Sequence, residues 1–393
     1  MKVSSPLVRM TVLFVLPFAI LFAVLIPALR PDYGKADFIS YWSTAHLLVT
    51  RGNPYDSQAI QTLQMQVYPE HYTDNDYIVV SWNPPWLMLT LAPVALLAFE
   101  DAVPAWIFFN ICIFGLAVFL LWKMLYGPEY HPGYIVALAA GFLFFETLLT
   151  ISMGQISSLV LIGLVLGVWC LRSNHDALAG AAFLLTTIKP QLTYLVWPLL
   201  LVWLIRQRRW RFFLGLSVAI GASVVMISIL YPGWLLAYWK LMNSFPYSTV
   251  STATLGCLID GLTGIKIFRM AGILTLPLFV PLLRLLDKKD DWTAFNLALL
   301  VSVPLSPYGF SFDHVVLLPA IVQMAIWLLK REIPPVQSHV FVICLLATYI
   351  LRYLQRDPTI MTYLFVWQPF ALCFIYLIIR KYRGLYGLQQ QTA

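Results

Sequence analysis

The chain has 393 residues, of which 60 % are hydrophobic and only 11 % are charged, and its mean hydropathy is +0.79. Soluble domains have about 45–50 % apolar and about 25 % charged residues, so this composition excludes a soluble globular protein. It also excludes a disordered chain, which needs low hydrophobicity and high charge. The net charge of +7 fits either a nucleic-acid partner or a membrane protein with basic loops. The positions of the basic residues decide between the two.

The cysteines indicate neither a disulfide framework nor a zinc site. Their number is odd, and no two of them have the spacing of metal ligands. We interpret them as small buried hydrophobic residues. They are Cys112, Cys170, Cys257, Cys344 and Cys373.

About twelve apolar runs are long enough to cross a bilayer, since a spanning helix needs about 20 apolar residues. The first run covers residues 10–29. It is too long for the core of a signal peptide and lacks an obvious cleavage site, so we expect a retained span. The later runs begin near Val103, Gly133, Ile156, Ala177, Leu192, Phe212, Lys266, Trp292, Val315, Val336 and Thr359.

The basic residues predict the orientation of these spans. Lysine and arginine favour the cytoplasmic side, and the clusters at 206–211, 284–289, 330–331 and 380–383 are assigned there. Both termini then lie inside, which requires the short run at 85–99 not to cross the membrane. We expect a juxtamembrane or re-entrant helix there. The basic loops also account for the positive net charge without any nucleic-acid partner.

The resulting prediction is an all-α polytopic membrane protein with one domain over residues 1–393. It has two long loops on the outer side, at about 30–102 and about 231–265. We expect a multi-pass protein of the plasma membrane whose functional site faces the extracytoplasmic side.

Five polar clusters fall on the outer side of this topology. Polar groups at membrane depth are functional candidates by default, and five on one face indicate a single site. A Gly-Asn-Pro turn at 52–54 follows the first cluster. The clusters are Asp37-Phe38-Ile39-Ser40-Tyr41-Trp42, Trp82-Asn83-Pro84-Pro85-Trp86, Gly154-Gln155, Lys189-Pro190-Gln191, and Ser306-Pro307 followed by Phe312-Asp313-His314.

Each cluster also has an ordinary structural explanation. Lys189 is typical of a snorkelling anchor, and Asp313 is typical of a carboxylate at a helix start. Asn83 and Gln155 can satisfy backbone groups near prolines or helix ends. Trp42 can belong to an aromatic belt at the membrane interface. The ordered combination of the clusters is harder to explain in this way than any member alone.

In order and spacing, the clusters from Asp37 to His314 resemble glycosyltransferase family 87. This family contains GT-C-type membrane enzymes, among them polyprenol-phosphate-mannose-dependent mannosyltransferases. The chain departs from the family pattern at Trp82-Asn83, where a tyrosine more often precedes the two prolines. The Asp-His pair is also reached through a Gly-Phe-Ser-Phe stretch at 309–312.

The resemblance implies a GT-C-type fold and transfer of a sugar from a polyprenyl-phosphate carrier to a hydroxyl of a lipid or glycan acceptor. Mannose is the first expectation, and another hexose or a pentose stays open. Asp37 matches the general base of the family, and direct displacement would invert the anomeric centre. Lys189 and His314 are then expected to bind the donor phosphate. The expected sugar or acceptor contacts are Tyr41, Trp42, Asn83, Gln155, Gln191 and Asp313.

Two further expectations concern neighbouring residues. Asp313 is a candidate to orient His314, although adjacent residues point apart on a helix. Asp74-Asn75-Asp76 has the form of a metal-binding motif, but no glycine-rich nucleotide fold accompanies it, so we expect neither a metal nor a cofactor. Other aspartates of the outer loop lack the motif around Asp37; they are Asp32, Asp56, Asp74 and Asp76.

Two other classes of protein compete with the transferase. A transporter or flippase of an anionic lipid-linked substrate would have a similar number of spans, but would usually carry midplane charges and an internal repeat. Glu146 is the main acidic residue within an apolar run, and no repeat is visible. A membrane ligase or acyltransferase is not supported either, since the sequence shows no activated serine or cysteine arrangement.

Overall fold

A computed structural model describes residues 15–16, 19–20, 33–69, 80–129, 131–244, 250–287, 290–355 and 362–392. Within these ranges the chain forms helices and no strand, which agrees with the all-α prediction. The predicted span at 10–29 lies almost entirely outside the described residues. Asp32, Asp74-Asn75-Asp76 and residues 245–249 of the predicted second outer loop lie outside them as well.

The described α-helices follow one another with short connections. In chain order they are α1 Phe38–Val49, α2 Ser57–Val67, α3 Trp86–Ala95, α4 Phe99–Leu125, α5 Tyr134–Phe142, α6 Phe145–Ser152, α7 Ser157–Arg172, α8 Asp176–Phe183, α9 Val196–Arg206, α10 Trp210–Leu230, α11 Trp234–Asn243, α12 Leu255–Thr263, α13 Phe279–Asp287, α14 Asp291–Leu305, α15 Leu318–Leu329, α16 Pro335–Leu354 and α17 Trp367–Thr392. Tighter 3-10 segments lie at Leu184–Ile188, Pro190–Leu192, Lys266–Leu278, Ser311–Leu317 and Thr362–Val366.

Several of these helices are long and apolar enough to cross a membrane, so the chain is a membrane protein. By length and composition the described residues contain six such spans. The bent pair α5–α6, with a 54° bend, would be a seventh. The six are Phe99–Leu125, Trp210–Leu230, Lys266–Leu286, Ser311–Leu329, Pro335–Leu354 and Thr362–Tyr386.

The predicted number of about twelve spans is not confirmed. Four of the predicted runs form apolar helices of only 10–17 residues, because each ends early at a turn or a 3-10 segment. These four are Ser157–Arg172, Asp176–Ile188, Val196–Arg206 and Asp291–Leu305. Whether each of them crosses the bilayer stays a prediction.

Helix α3 agrees with the predicted short segment near residues 85–99. It has ten residues and therefore extends about 15 Å, about half of the hydrocarbon thickness of a bilayer. Pro85 stands at its N-cap position, and Pro93 lies inside it. Such a helix is too short to cross a membrane without another element.

The chain divides into two compact units that interleave along the sequence. Unit 1 consists of the described residues within Met1–Ile113, Thr150–Ile188 and Arg211–Pro246. Unit 2 consists of those within Phe114–Leu149, Lys189–Trp210 and Tyr247–Ala393. Two compact units can belong to one domain, so the prediction of a single domain stays a prediction.

Local polar chemistry determines where α2 of unit 1 begins. The Asp56 carboxylate accepts hydrogen bonds from the backbone nitrogens of Gln58 (2.9 Å) and Ala59 (3.3 Å), which makes Asp56 an N-cap. Asn53 accepts from the nitrogen of Tyr55 at 3.0 Å and forms the preceding turn. The predicted turn at 52–54 is therefore confirmed.

In unit 1, α8 and α10 approach each other through glycines. A Cβ on Gly180 would lie 2.1 Å from the carbonyl oxygen of Phe212, and one on Gly215 would lie 1.9 Å from that of Ala177. Side chains are excluded at both positions, so the two backbones can pack closely, as small residues allow in membrane helices.

In unit 2, buried polar groups join α14, α15 and α17. The Asn296 amide donates to the Gln323 side-chain oxygen at 2.7 Å, and the Tyr376 hydroxyl donates to the same oxygen. All three side chains are buried. Such bonds satisfy polar groups that would otherwise be costly inside an apolar bundle.

Candidate active site

Unit 1 holds Asp37 at the start of α1. The backbone nitrogen of Asp37 donates to the carbonyl of Met153 at 2.9 Å. Asp37 occupies the N-cap position, but its carboxylate makes no capping bond to the helix. One carboxylate oxygen, Oδ2, instead accepts a hydrogen bond of 2.7 Å from Nε2 of Gln155. The side chain is thus directed away from its own helix, toward the Gly154-Gln155 segment.

Gln155 connects Asp37 to Tyr41, one turn further along α1. The Tyr41 hydroxyl donates to Oε1 of Gln155 at 3.0 Å, and Tyr41 and Gln155 are both buried. Because an ionised carboxylate only accepts hydrogen bonds, the Gln155 amide must turn its NH₂ toward Asp37 and its oxygen toward Tyr41. Three of the predicted site residues therefore form one hydrogen-bonded group.

Gly154 permits the close approach that builds this group. Its φ of +69° lies in the left-handed region, and a Cβ there would lie 2.3 Å from the carbonyl oxygen of Gly34. The indole nitrogen of Trp106 donates to the Gly154 carbonyl at 3.0 Å. The Trp106 ring stacks on Phe38, with centroids 5.6 Å apart. The two residues of the Gly-Gln pair therefore have different roles. Gly154 is required by the backbone geometry, and Gln155 supplies the amide that binds Asp37.

Two other predicted residues of unit 1 have structural contacts. Trp42 is buried, stacks on His46, and donates its indole N–H to the carbonyl of Leu97 at 3.2 Å. Asn83 donates from Nδ2 to the carbonyl of Ile188 at 3.1 Å. Asn83 thereby satisfies the end of the 3-10 segment that precedes Lys189 in the chain. A direct contact of either side chain with a substrate stays a prediction.

Unit 2 pairs Lys189 with Asp313. The Lys189 ammonium lies 2.7 Å from Oδ1 of Asp313 and 4.9 Å from the ring centroid of Phe312. The other carboxylate oxygen, Oδ2, accepts from the backbone nitrogen of Phe310 at 2.9 Å. Asp313 therefore combines the predicted role at a helix start with an ion pair. Gln191 lies half-buried on the short 3-10 segment after Lys189.

His314 is also buried in unit 2, and its contact is with a residue that the sequence did not indicate. Nδ1 of His314 lies 3.3 Å from Oε1 of Gln368. The adjacent Asp313 pairs with Lys189. The expectation that Asp313 orients His314 is therefore replaced by an orientation through Gln368, because neighbouring side chains leave the helix in different directions.

Gln368 leads to a buried ion pair that sequence reasoning missed. Its Nε2 donates to Oε2 of Glu146 at 2.8 Å, and Oε1 of Glu146 pairs with Nε of Arg352 at the same distance. Glu146 and Arg352 each stand inside an apolar segment, on α6 and α16. Opposite charges within two apolar runs were the signal that could have predicted this pair.

Unit 1 contains a tyrosine cluster whose members come from the two loops that the sequence predicts to lie outside. Tyr55 lies 6.2 Å from Tyr231 and 6.1 Å from Tyr238, measured between ring centroids. Burial, followed by the neighbouring tyrosines, raises the pKa of Tyr55 well above its usual value. Tyr55 therefore stays protonated at neutral pH and is not a base.

The described residues contain no group of three His, Cys, Asp or Glu side chains that could hold a metal ion. Asp74 and Asp76 lie outside this part of the chain, so the expectation of a metal-free site stays a prediction.

These features define a helical membrane protein with buried, ordered carboxylate and lysine groups. A family model of glycosyltransferase family 87 matches residues 82–351, which is more than half of the chain. The chain therefore belongs to glycosyltransferase family 87 and is a glycosyltransferase. The match contains Asn83, Gln155, Lys189 and the Asp313-His314 pair, whereas Asp37 precedes it. No curated protein and no solved structure matches the chain.

Gly154→Ala should disorder the Asp37 group. The added methyl meets the Gly34 carbonyl, and a non-glycine residue with positive φ is strained by about 1–3 kcal/mol. We expect a lower melting temperature. We also expect that soluble quenchers reduce the fluorescence of Trp106 more strongly than in the unaltered protein. Gly221→Ala is the matched control, because a Cβ there meets nothing within 4 Å. Equal stability of the two variants would contradict this account.

Lys189→Met should destabilise unit 2 by about 3–5 kcal/mol, because it leaves the buried Asp313 carboxylate without its cation. The double variant Lys189→Met/Asp313→Asn removes both charges and should recover most of this loss. Thermal unfolding of the two single variants and the double variant measures the coupling. Additive effects of the two substitutions would show that the ion pair contributes nothing to stability.

Proposed function

We propose that this glycosyltransferase moves a sugar from a polyprenyl-phosphate carrier to a hydroxyl of a lipid or glycan acceptor. Mannose is the first candidate, followed by another hexose or a pentose. Membership of family 87 supports sugar transfer, and the apolar composition supports a lipid-linked donor. The observation that carries the proposal is the hydrogen bond of 2.7 Å by which the Gln155 amide orients the Asp37 carboxylate, which makes no capping bond to α1.

Asp37 acts as the general base of the proposed reaction. It takes the proton of the acceptor hydroxyl while the hydroxyl oxygen bonds to the anomeric carbon. The bond from that carbon to the phosphate oxygen breaks, and polyprenyl phosphate leaves with the electron pair. Gln155 is neutral, so it orients Asp37 without cancelling the negative charge that a base requires.

Lys189 and His314 bind the donor phosphate in this proposal. A phosphate leaving group gains negative charge as the bond breaks, and an ordered cation stabilises it in a site of low dielectric constant. Asp313 holds the Lys189 ammonium in place. An ammonium carries three donors and can bind several acceptors at once. Tyr41, Gln155 and Gln191 remain candidates for the sugar or the acceptor.

The proposed location of the reaction is the extracytoplasmic face of the plasma membrane, with both termini in the cytoplasm. The support is the distribution of lysine and arginine, which places the basic loops inside and the polar clusters outside. We propose no metal, no cofactor and no nucleic-acid partner, so the assay below contains a chelator.

Asp37→Asn should lower the rate by about 10²–10⁴-fold, the usual contribution of a general base. The full-length protein in nanodiscs is incubated with short-chain polyprenyl-phosphate donors that carry mannose, another hexose or a pentose. The measurement is the release of polyprenyl phosphate. Asp56→Asn is the matched control, because it also removes a carboxylate from the first outer loop while asparagine keeps the helix cap. This control should keep its activity.

Three results of that assay would contradict the proposal. An unchanged rate in the Asp37→Asn variant would exclude Asp37 as the base. Activity that appears only when a divalent cation replaces the chelator would contradict the metal-free reaction. Donor binding without release from any carrier would favour a transporter or flippase of lipid-linked substrates over this donor class.

The configuration of the product tests the mechanism separately. A single displacement by the activated hydroxyl inverts the anomeric centre, so the new glycosidic bond should have the configuration opposite to that of the donor. One-dimensional NMR of the anomeric proton in donor and product measures it. A retained configuration would exclude the single inverting displacement.

A further inference from the structure

Four buried polar side chains of unit 2 form a chain of contacts that ends at His314. Glu146 lies on α6, Arg352 near the end of α16, and Gln368 at the start of α17. None of the four is more than 2 % exposed. The contacts run from Arg352 to Glu146, from Glu146 to Gln368, and from Gln368 to His314.

The first contact fixes the charge of Glu146. The Arg352 guanidinium stays protonated, and it lies over the rings of Phe145 and Phe365 at 4.3 and 3.9 Å. A buried cation is tolerated when an anion pairs with it, so Glu146 carries the negative charge of the pair. Its carboxylate therefore only accepts hydrogen bonds.

The second contact fixes the orientation of Gln368. Oε2 of Glu146 lies 2.8 Å from the Gln368 amide, so that end of the amide must be the NH₂ group. The opposite orientation would place two acceptor oxygens against each other. The Gln368 oxygen is consequently the atom that faces His314.

The third contact fixes the histidine. A carbonyl oxygen only accepts, so Nδ1 of His314 must carry a proton toward Gln368. We propose that Glu146, Arg352 and Gln368 are positioning residues that hold His314 with Nδ1 protonated. The proton that the ring gains or loses is then the one on Nε2. This inference rests on the proposed function for its consequence, which is that Nε2 is the nitrogen that contacts the donor phosphate.

The charged surroundings of the ring do not reverse this assignment. Its charged neighbours form two pairs of opposite charge, Arg352 with Glu146 and Lys189 with Asp313. The backbone of Ala253 also lies against His314. A carbonyl at that position is a second acceptor, and a neutral ring has only one N–H, so the Ala253 carbonyl competes with the Gln368 oxygen if it faces Nε2. The nitrogen NMR experiment below distinguishes the two nitrogens.

Nitrogen NMR of the ring tests the inference without any substrate. The full-length protein is labelled with ¹⁵N in the histidine rings and embedded in nanodiscs, and His314→Asn identifies the signals of His314 among the six histidines. Protonated and unprotonated ring nitrogens differ strongly in chemical shift. We expect a protonated Nδ1 over the whole pH range in which the protein is folded, with pH-dependent changes confined to Nε2.

The double variant Glu146→Gln/Arg352→Met removes the charge pair without leaving an unpaired ion. A glutamine at 146 can offer either its NH₂ or its oxygen to Gln368, so the orientation is no longer specified and the Nδ1 signal should become a mixture. Gln323→Leu is the matched control, because it breaks a separate buried network of unit 2 and should leave the His314 signals unchanged. An unprotonated Nδ1 in the unaltered protein would overturn the inference. Unchanged His314 signals in the double variant would also overturn it.

A kinetic comparison tests the consequence for the donor. The amide of a glutamine reaches the place of Nε2, whereas that of an asparagine reaches the place of Nδ1. His314→Gln should therefore keep donor affinity, while His314→Asn should raise the donor KM by about tenfold or more. Equal loss in both variants would overturn the assignment of Nε2 as the phosphate contact. If no polyprenyl-phosphate donor is used at all, the proposed function fails while the NMR result still decides the tautomer.

Discussion

A charged or strongly polar side chain inside an apolar protein must find a partner, and this constraint organises the polar interior of the chain. Unit 2 meets it with buried ion pairs, among them Lys189 with Asp313 and Arg352 with Glu146. Removing one member of such a pair costs far more than the pair itself contributes. The chain segments that carry the four residues are therefore held together, because separating either pair would leave a buried charge without a partner.

Unit 1 meets the same constraint in a different way. The Asp37 carboxylate binds the amide of Gln155, and Gln155 in turn binds the hydroxyl of Tyr41. A neutral partner orders a carboxylate while the group keeps its charge. An ion pair orders it and neutralises it, as Lys189 does for Asp313. The hydrogen bond from Gln155 is therefore compatible with the proposed role of Asp37 as a base, and the Lys189 ammonium lies beside Asp313.

The sequence predicted the helical class and the order of the apolar segments, because runs of apolar residues are local signals. Each run after Val103 has a helix or a helix pair near it. Span number could not be predicted in the same way, since several helices are interrupted by 3-10 segments that hydropathy does not detect. The turn at 52–54 was predictable because asparagine and aspartate bind their own neighbouring backbone.

The candidate site was predictable by residue type and much less by partner. Asp37, Gln155 and Lys189 belong to motifs, but the pairing of Lys189 with Asp313 joins residues far apart in the chain. Gln368 could not be predicted, because a single glutamine near the start of an apolar helix matches no motif. Trp42 and Asn83 also belong to motifs, but their side chains donate hydrogen bonds to backbone carbonyls. Motif membership alone therefore does not separate a site residue from a structural one.

The interruptions of the helices explain how side chains of the candidate site are placed. Lys189 stands between two 3-10 segments, and Asp313 lies within a third. Backbone groups left without regular helical partners must be satisfied by side chains inside a membrane. Asn83 does so at Ile188, and Asp313 does so at Phe310. Irregular backbone and polar side chains therefore occur together, because each satisfies the hydrogen-bonding requirement of the other.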